Sequence, residues 1–259
     1  MLTTPVSYPA DGTAMNTLRK SAANIRLGEY IADATAESIA RYGLDMPRLV
    51  IRLHQAAGTI GAVGTTGSYA TTDYPETTIT LVIGEQESDL VDYVLYNGGL
   101  YRCSTLLLRG VMNADWQETI TRYPVLTALG NLASLSRETA NGVDTWVITR
   151  TEQVAENNEL VTDGEGNQVY DIALTKNGEP SDYTAFSAAY NQLMMVTMSG
   201  RLPDGWTAAD APHTVWTFTD VDGTVHTVAL TRYDAMHDAV AIDGVALFYL
   251  IQGGFSLGI

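Results

Sequence analysis

Basic residues are scarce in this chain. Of 259 residues, 14 are lysine or arginine and 30 are aspartate or glutamate, which gives a formal net charge of −16. A surface of that sign repels phosphate backbones and anionic headgroups, so nucleic acid and direct electrostatic attachment to a membrane are disfavoured. Cysteine is scarcer still: Cys103 stands alone, so no internal disulfide can form. That suits the cytosol, and it suits extracytoplasmic bacterial proteins that seldom use disulfides. No run approaches the roughly 18 to 20 apolar residues of a membrane helix. The opening Met1-Leu2-Thr3-Thr4-Pro5 has neither the basic start nor the apolar core of a signal peptide. Two readings follow: a cytosolic protein, or a chain that starts downstream of a removed export or anchor segment. The acidic, lysine-poor, Thr-, Tyr- and Gly-rich composition favours the outside of a cell.

What is present is a pattern stated twice. Asp45-Met46-Pro47 leads into Val50-Ile51-Arg52-Leu53, and Asp210-Ala211-Pro212 leads into Val215-Trp216-Thr217-Phe218. Later, the run 92–96 turns at Asn97-Gly98, and the run 238–242 turns at Asp243-Gly244. Recurrence of order, turn chemistry and flanking strands implies two copies of one unit. The first copy is longer between its markers, and the extra residues fall in the stretch 58–75, where the second copy has the tight turn Asp222-Gly223.

With 46% hydrophobic residues the chain can bury a sizeable core. Met15, Leu18, Ala22 and Ile25 share one helical face, capped by Asp11 or Thr13. A short helix over 35–42 has Thr35 as N-cap and Gly43 as left-handed C-cap. Strands are predicted at 49–54, 77–83, 92–96 and 100–104, and alternating segments mark 134–149 and 170–174. Tyr183, Phe186, Tyr190, Leu193 and Met194 give a second amphipathic helix, capped by Ser181 or Asp182. The acidic stretch 153–168 reads as a long exposed loop. The predicted fold is α+β, a tandem repeat of antiparallel β-sheet units each with a packed helix. The units span 1–112 and 113–259, and the first lacks the opening strands that the second carries ahead of its helix.

Tyr42-Gly43-Leu44-Asp45-x-Pro47, a Thr-rich strand ending Ile83-Gly84, Tyr93-Val94 and an Asn-Gly hairpin together resemble the domain-of-unknown-function family 4340. The resemblance covers nearly the whole chain. It implies a bacterial envelope protein with an N-terminal membrane anchor, encoded beside gliding-type ABC transporter components. No catalytic residue is established for that family, so none is carried over. The chain departs from the pattern in lacking the anchor and in its longer insertion over 58–75.

Local chemistry offers no strong motif. Gly58, Gly61, Gly64 and Gly67 lack the strand-loop-helix context and the Gly-Lys-Ser/Thr ending of a phosphate loop, and they read as a flexible hairpin loop. Were that loop a lid, Tyr69 and Tyr74 would make its contacts. Asp163, Glu165 and Asn167 alternate like the first ligands of a calcium loop, but Gln168 and Leu174 stand where glycine and the closing glutamate belong, so a solvated turn is preferred. His54, His213, His226 and His237 show no zinc spacing. Cys103 on a strand reads as a buried thiol. Glu85, Glu87 and Asp89 follow a strand end, where a solvated loop is the preferred reading. Trp216 matches Ile51 and reads as core, while Trp116 and Trp206 flank turns and are candidate exposed contacts.

These observations point to a non-enzymatic extracytoplasmic accessory module without cofactor or metal. Its partner is a protein, which the family resemblance narrows to ABC transporter subunits. The candidate contacts are Tyr69, Tyr74, Trp116 and Trp206. The second reading is an envelope hydrolase acting on glycans or peptides through Glu85, Glu87 or Asp89.

Overall fold

A computed structural model describes residues 1–3, 5–63, 69–155 and 159–259, with the backbone alone at 60, 62, 63, 69 and 70. The chain divides into two compact units, residues 10–119 and residues 1–9 with 120–259. The fold is α+β, and both large sheets are antiparallel.

The smaller unit opens with α1 (Gly12–Ala23), whose free N-terminal donors are met by Asp11 accepting from the Ala14 amide at 2.7 Å. Strand β1 (Leu27–Asp33) follows, then α2 (Ala36–Arg41), closed at its start by a reciprocal Thr35–Ser38 capping box. Gly43 ends that helix at φ +65°, a left-handed conformation that a side chain would strain. Then come β2 (Leu49–Gln55), β3 (Gly58–Val63), β4 (Tyr69–Tyr74), β5 (Thr77–Ser88), β6 (Val91–Tyr96), β7 (Gly99–Ser104) and α3 (Thr105–Met112). The sheet order is β1-β7-β6-β5-β2, with β3 and β4 paired as a separate ribbon. Its core is Ile51, Leu81, Ile83, Val94, Cys103 and Leu108. Asn97 and Gly98 both take positive φ, 48° and 77°, which matches the strand twist at the β6–β7 hairpin.

Three expectations change in this unit. Strand β1 and helix α3 were not read from the sequence, and the glycine-rich stretch read as a flexible loop is a paired ribbon wherever it is described. Leu27–Asp33 is mostly exposed and mixes polar and apolar residues without a period of two, so no alternation announces it. Its pairing with β7 makes it a strand.

The larger unit contains β8 (Leu132–Thr139), β9 (Gly142–Glu152), β10 (Tyr170–Lys176), β11 (Glu179–Ser181), α4 (Tyr183–Met194), β12 (Gly200–Arg201), β13 (Thr214–Asp220), β14 (Val225–Arg232), β15 (His237–Ile242) and β16 (Val245–Ile251). Asp182 caps α4 by accepting from Thr184 and Ala185. Phe186, Tyr190 and Leu193 of α4 are buried. Phe186 meets Trp146 at 6.3 Å between ring centroids, and Tyr190 meets Phe218 at 6.3 Å. Each such buried aromatic removes a large apolar surface from water, a contribution of roughly 1.5 to 3 kcal/mol. Residues 1–9 belong to this unit, and Tyr8, 1% exposed, stands 6.2 Å from the Phe248 ring.

The large sheet runs β11-β10-β9-β8-β13-β14-β15-β16-β12. From β13 onward it repeats the chain order of β2-β5-β6-β7-β1 in the small sheet, including the strand after the helix that returns beside the last strand. The large sheet carries four further strands, β8 to β11, beyond β13. Among the described residues the small sheet has none beyond β2.

Candidate functional site

A sheet edge is a row of unpaired N–H and C=O groups, and folded proteins usually shorten, bend or interrupt such rows. Three of the four edges of the two large sheets do so. Strand β11 has three residues, one of them Pro180, and β12 has two. Strand β1 has seven, but its register with β7 shifts twice. Strand β2 differs: its seven residues pair with β5 in unbroken register from Leu49 opposite Ile83 to Gln55 opposite Thr77. No proline or bulge interrupts it.

Period two places Leu49, Ile51 and Leu53 on the core face of β2, and Val50, Arg52 and His54 on the exposed face. Beside the core face lies an apolar groove of about 210 Å³, lined by Ala22 and Ala23 at the end of α1, Ile25, Leu27, Leu53, Ile79, Leu81 and Tyr96. Ile79 is 37% exposed there, and Leu53 is half-buried. The corresponding strands of the large sheet are closed over: Trp216 and Phe218 on β13 are each 1% exposed, and Val228 on β14 is 0%. Strand β8 supplies part of that cover by pairing antiparallel to β13, with Leu135 opposite Phe218 and Arg137 opposite Trp216. The rings of Phe255 and Tyr190 supply more.

The start of β2 is fixed by a buried charge. Arg48 donates through Nε to the Gly84 carbonyl at 2.7 Å and pairs through its guanidinium with Asp92 on β6, whose side chain is fully buried. The large unit has the same arrangement with another base. His213 precedes β13, and its Nε2 lies 3.2 Å from the buried Asp238 carboxylate of β15. The backbone agrees in both: Arg48 N–H donates to Ile83 O and His213 N–H to Leu230 O, each at 2.9 Å. Both bases follow the proline of the repeated Asp-x-Pro, so the sequence held a signal for this pairing that went unread.

The four candidate contact residues belong to different elements. The Tyr69 side chain lies outside the described residues. Tyr74 is half-buried across the ribbon from Gly58, so close that a Cβ on Gly58 would stand 2.5 Å from the Tyr74 hydroxyl. Trp116 is half-buried in a 3-10 turn of the smaller unit, Trp116–Glu118. Trp206 belongs to the larger unit, where its ring meets Tyr233 edge-on at 6.0 Å, and Tyr233 stacks on Tyr249 at 5.2 Å. Tyr249 also meets His237 at 4.8 Å, so Trp206 heads a row of four partly exposed rings.

Glu85 and Glu87 lie within β5, which runs past the strand end expected at 83, and Glu87 is bound by a cation. Arg102 on β7 grips both oxygens of Glu87 at 2.7 Å and also contacts Glu29. The Arg102 guanidinium holds the Glu87 carboxyl below its usual range, whereas a general acid needs the opposite displacement. Asp163 spends its oxygens inside its own turn, accepting from the Glu165 and Asn167 amides at 2.9 Å and from the Asn167 side chain. Each histidine sits beside its own carboxylate: His54 by Glu76, His213 by Asp238, His226 by Asp243 and His237 by Asp234. Among the described residues no group of three or more metal-binding side chains gathers. Burial, reinforced by the nearby Asp92 charge, pushes the Cys103 thiol up, away from the reactive thiolate.

No helix among the described residues is long and apolar enough to cross a membrane. The family described as "Domain of unknown function (DUF4340)" matches residues 1–213. No curated protein and no solved structure matches the chain.

Proposed function

We propose, from the premise that the chain belongs to the DUF4340 family, that it is a non-enzymatic interaction module acting outside the cytoplasm. In this reading it works from a membrane tether and takes a protein partner, with the subunits of an ABC-type transporter as the first candidates. The observation that carries it is the unprotected edge of β2 with the open groove beside it. The large sheet fills the corresponding place with its own strands, so the small sheet presents a surface built to be covered.

The two sheets also support a tandem duplication. Strand order, the pairing of buried Asp92 with Arg48 and of buried Asp238 with His213, and the matching amide bonds recur together. Independent origins would not place a buried carboxylate at the same sheet position with its base just after the same proline.

The test is site-specific photo-crosslinking in cells, with the probe at exposed His54 on β2 and a control probe at exposed Val221 on a turn of the large unit. The expected outcome is an adduct with a defined envelope protein from position 54 and none from position 221. Equal labelling from both positions, or none from either, refutes the reading.

A further inference from the structure

The pattern of β2 and the internal precedent of β8 on β13 define what the edge takes. Strand β8 lies antiparallel to β13, with Leu135 opposite Phe218, Ser136 opposite Thr217 and Glu138 opposite Val215. Carried to β2, the same register puts an incoming apolar residue opposite Leu53, as Leu135 stands opposite Phe218, while the place opposite Ile51, held by Arg137 over Trp216 in the precedent, lies on the same apolar face. The residue between them faces Arg52 on the exposed side, where His54 is also exposed. In a chain of net charge −16, the exposed Arg52 is a local cation that complements an acidic side chain.

We propose that β2 is a strand-addition site whose occupant is an extended segment of a partner protein, bound antiparallel, with alternating apolar and acidic residues. The inference rests on the interaction reading above and adds its mode and its chemistry. Main-chain hydrogen bonds along the seven-residue edge supply affinity. The groove formed by Leu53, Ile79, Leu81 and Tyr96 selects the apolar side chains, and Arg52 selects the acid. A second copy is disfavoured as occupant, because two β2 strands paired about their middle residue would place Arg52 directly opposite Arg52.

The probe is a synthetic peptide of about nine residues with Leu and Val spaced to face Leu53 and Ile51 and Asp between them to face Arg52. It is titrated against the full chain, and hydrogen exchange maps the protected amides. Saturable binding with new protection confined to β2 is expected. N-methylation of alternate peptide amides on the ladder side is expected to weaken binding at least tenfold, because it removes the hydrogen bonds and leaves the side chains intact. Arg52→Glu, an exposed change, is expected to weaken the Asp peptide about fivefold and to strengthen a Lys-for-Asp peptide by a similar factor.

Unchanged binding after N-methylation, or protection outside β2, overturns strand addition. So does protection of β2 that rises with protein concentration in the absence of peptide, which identifies a second copy as the occupant. No peptide binding combined with a specific crosslink at position 54 overturns the strand mode and leaves the broader interaction reading standing. Absence of both overturns the two together.

Discussion

Replacing Arg48 by methionine leaves the Asp92 carboxylate fully buried with no cation beside it. The change keeps most of the Arg48 stem, so the loss is electrostatic rather than a cavity. Removing one partner of a buried pair typically costs about 3 to 5 kcal/mol, because the remaining charge is stranded in a medium that cannot solvate it. The Gly84 carbonyl also loses its 2.7 Å donor, which adds about 1 kcal/mol. A sum of about 4 to 6 kcal/mol is a large share of the 5 to 15 kcal/mol typical of a domain. The prediction is therefore that Arg48→Met largely unfolds residues 10–119 at ambient temperature. Native-state hydrogen exchange reads this directly: amides of β2, β5 and β6 should lose nearly all protection, while those of β13 to β16 keep theirs. The control is Arg48→Met with Asp92→Asn, which removes the charge and leaves a neutral amide. It should recover at least half of the lost stability in a urea titration, since an unsatisfied neutral group costs about 1 to 3 kcal/mol. A double variant no more stable than the single one would refute the argument, because the stranded charge would then not be the cause.

Three further outcomes follow. Cys103, 1% exposed with its thiol pushed up by burial, should resist a thiol-directed disulfide reagent at neutral pH in the native protein and react fully in denaturant. Tyr190→Phe removes the hydroxyl that donates to the Thr127 carbonyl at 2.9 Å, and should cost about 1 to 2 kcal/mol in a urea titration without changing the slope. Glu87, Asp144, Asp163, Asp222 and Asp234 all have carboxyls held below their usual range by hydrogen bonds, so their contribution is present above the ordinary carboxylate pKa near 4 and is lost as pH falls below it. A melting temperature that rose on acidification from pH 5 to 3 would contradict this assignment.

Much of the architecture was legible because it rests on local chemistry. Asn97-Gly98 and Asp243-Gly244 need positive φ, and the structure gives it to all four residues. Asp11, Thr35 and Asp182 cap the helices assigned to them. The α+β class was readable for the same reason. What was hidden depends on pairing rather than on sequence pattern: β1 is held by β7, and α3 follows β7 through Ser104 without a side-chain cap bond to mark its start. The ribbon of β3 and β4 was hidden too, because Gly and Thr spread along it suggest a loop until each residue has a partner. The site was least legible. An open edge is a relation between a strand and a neighbour that is not there, and single residues such as Trp116 or Trp206 cannot announce it. The recurring Asp-x-Pro came nearest, since it precedes both β2, an edge strand, and β13, which β8 covers.

The chain order of the two units bears on how the protein is made. Residues 10–119 lie between two stretches of the same compact unit, and Tyr8 packs on Phe248, almost the full length of the chain away. The inner unit has every strand it pairs with once Ser104 has been synthesised, so it can fold while the rest is still emerging. Residues 1–9 cannot, because their partner Phe248 is made long after them. Closing that contact joins two stretches of the outer unit that are far apart in sequence, so it should come late in the folding of that unit.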